Sequence, residues 1–127
     1  MKELSGGITV VPGFLATGIY AGIKKIEKKD LTLIFSEKPC VAAGLFTKNE
    51  VKGAPVLISQ RNIKKGIGQA IIANSGNSNA CTGKQGIKDA EEMATLTAKA
   101  LNIKPNLIYV ASTGVIGELM PMEKVRN

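Results

Sequence analysis

The sequence predicts an α/β fold, built mostly from strands plus one long helix. Its 127 residues have a globular composition, with 44% hydrophobic and 21% charged residues. Short apolar runs separated by Gly, Pro and Asp fill the first two thirds of the chain, which is typical of strands. From residue 86 to residue 101 the apolar residues recur every three or four positions, which is typical of an amphipathic helix.

The predicted strands are short and follow one another closely. Residues 31–36 are the strongest candidate, since nearly all of them are Leu, Ile, Phe or Thr. Residues 69–74 form a nearly continuous apolar run, which predicts a strand covered on both faces. The other runs that favour strands are residues 9–11, 14–23, 41–47, 55–59 and 107–111, and a turn is predicted at residues 112–114.

The long helix has its acidic residues early and Lys99 late, as the helix dipole favours, and Asn102 and Pro105 follow it. Pro121 is placed to open a second helix through Val125, only a few residues before Asn127. So short a helix is not stable alone. We therefore expect residues 1–127 to be a single, incomplete domain that belongs to a larger assembly.

Composition excludes several chemistries. The chain has no histidine, so it cannot supply a Ser-His or Cys-His couple or an imidazole metal ligand. Cys40 and Cys81 are too few for a disulfide scaffold and lie in no CxxC motif, and a small buried side chain is the expected role of each. No metal and no cofactor are expected. No apolar run is long enough to span a bilayer and residues 1–7 do not resemble a signal peptide, so we expect a cytoplasmic protein.

The net charge of +7 suggests an acidic partner, with nucleic acid the first candidate. The basic residues argue against it, because only Arg61 and Arg126 carry a guanidinium and the others are scattered lysines without interleaved aromatics. A solvated surface is the preferred interpretation. A non-catalytic basic module that binds nucleic acid or another acidic partner stays open as the alternative function.

Two polar loops stand out, each directly after a predicted strand. Residues 74–83 are rich in Asn, Ser, Thr and Gly, which fits either a turn that caps the long helix or the wall of a polar pocket. In residues 111–117, Thr113 and Gly114 can offer a hydroxyl and a backbone N–H to one oxygen, as acyl transfer requires. From the residues alone, an ordinary strand-to-helix turn with a cap is the preferred interpretation of the second loop.

Four stretches in collinear order closely resemble the amino-terminal part of ornithine acetyltransferase, the glutamate N-acetyltransferase of arginine biosynthesis. The last two stretches together are the most specific, and the likeness covers essentially the whole chain. The stretches are Gly6-Gly7 with Pro12-Gly13-Phe14, residues 42–47 with 54–56, residues 74–83, and residues 111–117 followed by Met120-Pro121-Met122.

The resemblance implies a layered α-β-β-α sandwich made from two chains of one self-cleaving precursor, commonly as an α2β2 heterotetramer. It implies that the β chain begins with a nucleophilic threonine whose own amine acts as base. The acetyl group of N-acetylornithine passes through an acetyl-threonine enzyme to glutamate, and some members also accept acetyl-CoA as a substrate. Thr113 and Gly114 match the pair that forms the oxyanion hole in that family.

The sequence departs from the family pattern at its end. A family α chain continues past the Met-Pro-Met segment and contributes further substrate contacts there, whereas this sequence stops at Asn127. The resemblance therefore predicts that most substrate-binding residues lie beyond Asn127 and that the nucleophile lies on the partner β chain. We expect residues 1–127 to be inactive alone. A purely scaffolding role for the fragment is a further alternative.

Overall fold

The structure is a computed structural model that describes residues 5–127. The first four residues of the segment examined for a signal peptide lie outside the described residues. Strands and α-helices occupy similar shares of the chain, so the predicted predominance of strands is wrong. The elements are β1 (Phe14–Ile19), β2 (Leu31–Val41), α1 (Ala54–Asn62), β3 (Ile67–Asn77), α2 (Gly83–Leu101), β4 (Ile108–Val115) and α3 (Met122–Arg126). Single turns of 3-10 helix lie at Ile8–Val10, Ile63–Lys65 and Pro105–Leu107.

The strands form one mixed sheet in the order β1-β2-β3-β4. β1 and β2 are antiparallel, and so are β2 and β3, whereas β3 and β4 are parallel. The helix α2 provides the crossover connection that a parallel pair needs. Pro39 lies in β2 where its register against β3 shifts between Phe35 and Cys40, a position at which a missing N–H is tolerated. Since β3 and β4 run in the same direction, their carboxyl ends meet at one end of the sheet.

The long helix is confirmed. α2 is three residues longer at its start than the periodicity predicts, and its buried stripe consists of Ala90, Met93, Ala94 and Ala98. Met93 is fully buried and packs with Ile72 and other apolar side chains of the sheet in one core cluster. Asn102 ends the helix in the left-handed conformation, and its N–H caps the carbonyls of Ala98 and Lys99.

The predicted strand at residues 55–59 is wrong, because these residues belong to α1. The buried side of α1 combines Ala54 and Ile58 with the polar residues Ser59 and Asn62, so hydrophobicity alone does not reveal a helical stripe. The buried side chains of Ser59 and Asn62 both have hydrogen-bond partners. The Ser59 hydroxyl donates to the carbonyl of Val110 at 2.8 Å, and the Asn62 amide donates to the carbonyl of Ile108 at 2.8 Å.

Three other local predictions also differ from the structure. Residues 9–11 fall at a 3-10 turn instead of a strand, and after Val41 the run to residue 47 has no regular structure. Residues 112–114 continue β4 rather than forming a turn, because the ladder with β3 extends to Val115. The short second helix is confirmed as α3, which Arg126 ties to α2 through a bidentate ion pair with Glu92 at 2.6 and 2.9 Å.

Helices cover only one face of the sheet within residues 5–127. Ala70 and Ile72 of β3 and Ile108 and Val110 of β4 point towards α1 and α2 and are buried. Side chains alternate along a strand, so Ile71 lies on the opposite face, where it is 40% exposed. The prediction that β3 is covered on both faces is therefore not met by this chain, and the second sheet of the expected sandwich is not found among the described residues.

Candidate active site

The two polar loops of the sequence meet at the carboxyl ends of β3 and β4. The parallel register pairs Ser75 with Thr113 and Gly76 with Gly114. Beyond these pairs, the backbone N–H and the hydroxyl of Ser78 both donate to the carbonyl of Val115, at 2.9 and 2.7 Å. Two segments that are far apart in the sequence thus form one continuous surface.

Thr113 and Gly114 are both exposed on this surface. Thr113 alternates with the buried Val110 and the half-buried Ser112, so its side chain lies on the sheet face that the helices leave open. The carbonyl of Val115 is turned towards β3, where it meets Ser78. The ladder is irregular at this point, because Asn77 pairs with both Thr113 and Val115. Among the described residues β4 is the last strand of the sheet, so Gly114 lies on an edge strand.

Glycine is required at position 114 for two reasons. Its φ is +136°, which side-chain-bearing residues rarely adopt. A Cβ on Gly114 would also overlap the carbonyl carbon of Gly76 and lie 2.5 Å from the backbone nitrogen of Asn77. The backbones of β3 and β4 therefore approach each other more closely here than any other residue would permit.

Gly76 carries the same constraint on the neighbouring strand. Its φ is +111°, and a Cβ there would lie 3.0 Å from Cγ of Lys24 and 3.2 Å from Cγ2 of Ile23. The loop between β1 and β2 thus packs directly against the Gly76 backbone. Gly76 in turn contacts Gly114, so three segments converge at this point.

Asp30 holds the loop between β1 and β2 in place, a role that no pattern in the sequence indicates. Its carboxylate is buried and accepts hydrogen bonds from the backbone N–H groups of Ala21 at 2.7 Å and Lys24 at 2.8 Å. Burial by itself raises the pKa of Asp30, but the backbone donors outweigh it and hold the pKa below its ordinary value. The carbonyl of Asp30 accepts the N–H of Ser75, which joins the loop to β3.

Three buried asparagines organise the loop of residues 74–83, and one of them, Asn77, also bonds to the segment that follows β4. The Asn74 amide donates to the carbonyl of Asn77 at 2.9 Å. The Asn77 amide donates to the carbonyls of Glu118 and Leu119, both at 3.1 Å, and its side-chain oxygen accepts the N–H of Asn79 at 2.8 Å. The asparagine side chains therefore serve the backbone of the loops.

The loop of residues 74–83 does not cap α2 in the simple way that its composition favours. Thr82 precedes the helix but makes no capping bond to it. Instead its hydroxyl donates to the side chain of Asn79 at 2.7 Å, and the Asn79 amide donates to the carbonyl of Gly86 inside the helix at 2.8 Å. Asn79 is fully buried with a φ of +46°, a conformation that asparagine tolerates.

In the part of the chain that the structure describes, neither cysteine side chain takes part in the hydrogen bonds between the two loops. Cys40 is half-buried in β2, where its thiol donates to the carbonyl of Gly68 at 3.3 Å. Cys81 is exposed and has a φ of +58°, so the prediction that it is buried is wrong. Within residues 5–127, no three His, Cys, Asp or Glu side chains are grouped closely enough to hold a metal ion. None of the helices in that part of the chain has the length and apolar character to span a bilayer.

Comparison with known proteins identifies the family. The ArgJ family model matches residues 15–127. The chain belongs to the ArgJ family. It is 53% identical over 127 residues to the arginine biosynthesis bifunctional protein ArgJ of Symbiobacterium thermophilum, covering 98% of this chain and 32% of that protein. It is 56% identical over 118 residues to ArgJ 1 of Clostridium acetobutylicum, covering 93% of this chain and 29% of that protein.

Solved ArgJ-family structures share the fold. The crystal structure of ArgJ from Bacillus halodurans superposes with a TM-score of 0.92 at 43% identity, over 96% of this chain and 64% of that one. Ornithine acetyltransferase from Mycobacterium tuberculosis, solved in complex with ornithine, also gives a TM-score of 0.92, at 44% identity, over 94% of this chain and 65% of that one. The resemblance found in the sequence is thereby confirmed. The chain spans about a third of the length of the curated ArgJ relatives it matches.

Proposed function

We propose that this chain is part of a glutamate N-acetyltransferase that moves an acetyl group from N-acetylornithine to glutamate through an acetyl-threonine enzyme. In this proposal Thr113 and Gly114 form the oxyanion hole. The observation that carries it is the exposure of both groups side by side at the end of an edge strand, in a chain of the ArgJ family. The ornithine bound to the Mycobacterium tuberculosis relative supports the choice of substrate.

Two donors at this position suit the charge that develops during acyl transfer. Thr113 lies on the open face of the sheet, and Gly114 follows it on the edge strand. In the proposal, an acetyl oxygen placed beside them accepts one hydrogen bond from the Thr113 hydroxyl and one from the Gly114 N–H. The close packing of Gly114 against Gly76 and Asn77 fixes the N–H before the substrate arrives, and such preorganisation is what stabilises an oxyanion.

The nucleophile is proposed to be the amino-terminal threonine of a partner β chain. Its hydroxyl oxygen attacks the acetyl carbonyl carbon, its own amine takes the hydroxyl proton, and the carbonyl electrons move onto the oxygen held by Thr113 and Gly114. Collapse breaks the C–N bond, and ornithine leaves with that proton. The amine of glutamate then attacks the acetyl-threonine ester and gives a proton to the threonine amine, while the same two donors stabilise the second oxyanion. Collapse breaks the C–O ester bond, and the threonine oxygen takes that proton back.

The proposed assembly is an α2β2 heterotetramer in which this chain is the amino-terminal part of the α chain. The open sheet face supports this arrangement, because Ile71 is exposed there and a sandwich of two sheets would cover it. The length of the ArgJ relatives leaves room for a second sheet and a second helix layer. Most substrate-binding residues then belong to the remainder of the enzyme, and acetyl-CoA is a possible second acetyl donor.

The test is to remove the Thr113 hydroxyl in the complete, assembled enzyme. Thr113→Ala and the nearly isosteric Thr113→Val should lower kcat about 10²–10³-fold with little change in KM, as loss of one oxyanion donor does. Thr113→Ser keeps a hydroxyl and is the matched control, so it should retain most of the activity. If Thr113→Val keeps kcat within a few-fold of the wild type, the proposed role is wrong and a scaffolding role replaces it.

A further inference from the structure

We propose that Asn77 is a positioning residue for the oxyanion hole, holding the segment after Gly114 to the end of β3. This inference rests on the proposed function of Thr113 and Gly114. Asn77 is 4% exposed and touches this region twice. Its backbone nitrogen packs against Gly114, and its side-chain amide donates to the carbonyls of Glu118 and Leu119, both at 3.1 Å.

The segment from Gly114 to Leu119 is tied to residues 77–80 at three places. The first is the pair of bonds from Ser78 to the carbonyl of Val115, and the second is the bond from the N–H of Gly117 to the carbonyl of Ala80 at 2.9 Å. The third is the Asn77 amide, which is the buried one. Most residues of this segment are exposed, so hydrogen bonds rather than apolar packing fix its path.

The asparagine side chain fits this task because both kinds of polar atom are used. Its nitrogen serves two consecutive carbonyls, and its oxygen accepts the N–H of Asn79 at 2.8 Å. Its backbone carbonyl accepts a hydrogen bond from the Asn74 amide at 2.9 Å, so Asn77 is itself held in place. A loosened segment would instead let Gly114 move, and a displacement of about 1 Å at a reacting group can cost about 100-fold in rate.

The chain offers a closely matched control in Asn62. This residue is 7% exposed, and its amide also donates to two carbonyls, those of Ile108 at 2.8 Å and Pro105 at 3.4 Å. Ile108 is the first residue of β4, so Asn62 holds the opposite end of the strand that carries Thr113. Truncating either asparagine removes a buried amide that donates to two carbonyls, and only Asn77 is next to the proposed site.

The experiment compares Asn77→Ala with Asn62→Ala in the complete, assembled enzyme by unfolding and steady-state kinetics. We expect both variants to lose stability, but only Asn77→Ala to lose kcat, by about 10- to 100-fold with KM changed less than about threefold. In the Gly114→Ala background, Asn77→Ala should lower kcat by less than about threefold more, because the added methyl group already displaces the N–H that Asn77 positions. If Asn77→Ala does not fold, Asn77→Ser, which keeps one shorter donor, is used with the same expected order.

The two ideas fail in different ways. If Thr113→Ala lowers kcat but Asn77→Ala keeps kcat within threefold of Asn62→Ala, Asn77 is only structural and the oxyanion hole stands. If Asn77→Ala lowers kcat by its full factor in the Gly114→Ala background, Asn77 acts independently of Gly114 and the inference is also wrong. If Thr113→Ala leaves kcat unchanged, the proposed function fails and the positioning role fails with it.

Discussion

Replacing Gly114 with alanine tests the close approach of β3 and β4 at the proposed site. Alanine at a φ of +136° costs about 1–3 kcal/mol of backbone strain. The new methyl group would also overlap the backbone of Gly76 and Asn77, and the strands must separate to admit it. Such overpacking costs about 1–3 kcal/mol more. The structure therefore predicts that Gly114→Ala lowers the free energy of unfolding by about 2–6 kcal/mol.

Gly117→Ala is the matched control, because Gly117 has a φ of +84° but no atom within 4 Å of an added Cβ. It should cost only the strain, about 1–3 kcal/mol. Urea unfolding and kcat of the complete enzyme measure both consequences. Gly114→Ala should also lower kcat by about 100-fold or more, because separating the strands displaces the N–H that is proposed as an oxyanion donor. Equal stability and equal kcat for the two variants would refute the described packing.

Two further predictions concern Asp30 and the net charge. Because the pKa of Asp30 is lowered in the folded protein, its contribution to stability is present above its ordinary pKa of 3.8 and is lost as the pH falls through the lower folded value. Asp30→Asn should weaken this acid dependence and cost about 1–3 kcal/mol at neutral pH, which urea unfolding at several pH values measures. We expect weak binding to duplex DNA with little salt dependence, because a solvated lysine surface is the preferred interpretation of the net charge. Steep salt dependence would favour the basic-module alternative.

The sequence predicted the elements whose residues follow one clear period. α2 was recognised because its buried residues recur at helical spacing, and the first half of β2 because Leu, Thr, Ile and Phe follow one another there. α1 was missed because two of its five buried residues, Ser59 and Asn62, are polar. Ser59 and Asn62 are buried only because β4 offers them carbonyl acceptors, and a partner so far away in the sequence leaves no local signal.

The candidate site was predicted in part. Thr113 and Gly114 were singled out as a pair of donors, and their exposure at the sheet edge agrees with that hypothesis without testing it. The roles of Asp30 and Asn77 were not predicted, because each acts through backbone groups of another segment. The asparagine-rich loop was noticed, but its composition fits a helix cap as well as a clamp on a neighbouring loop. Only the parallel register of β3 and β4 brings the two loops together and so shows that this loop clamps its neighbour.

The central claim is that Thr113 and Gly114 hold the oxygen of an acetyl group that is attacked from another chain. A crystal structure of the complete enzyme trapped as its acetyl-enzyme tests this most directly. The account predicts that the Thr113 hydroxyl oxygen and the Gly114 nitrogen both lie about 2.7–3.1 Å from the acetyl oxygen on an amino-terminal threonine. An acetylated residue remote from both groups, or one whose oxygen faces other donors, would contradict it.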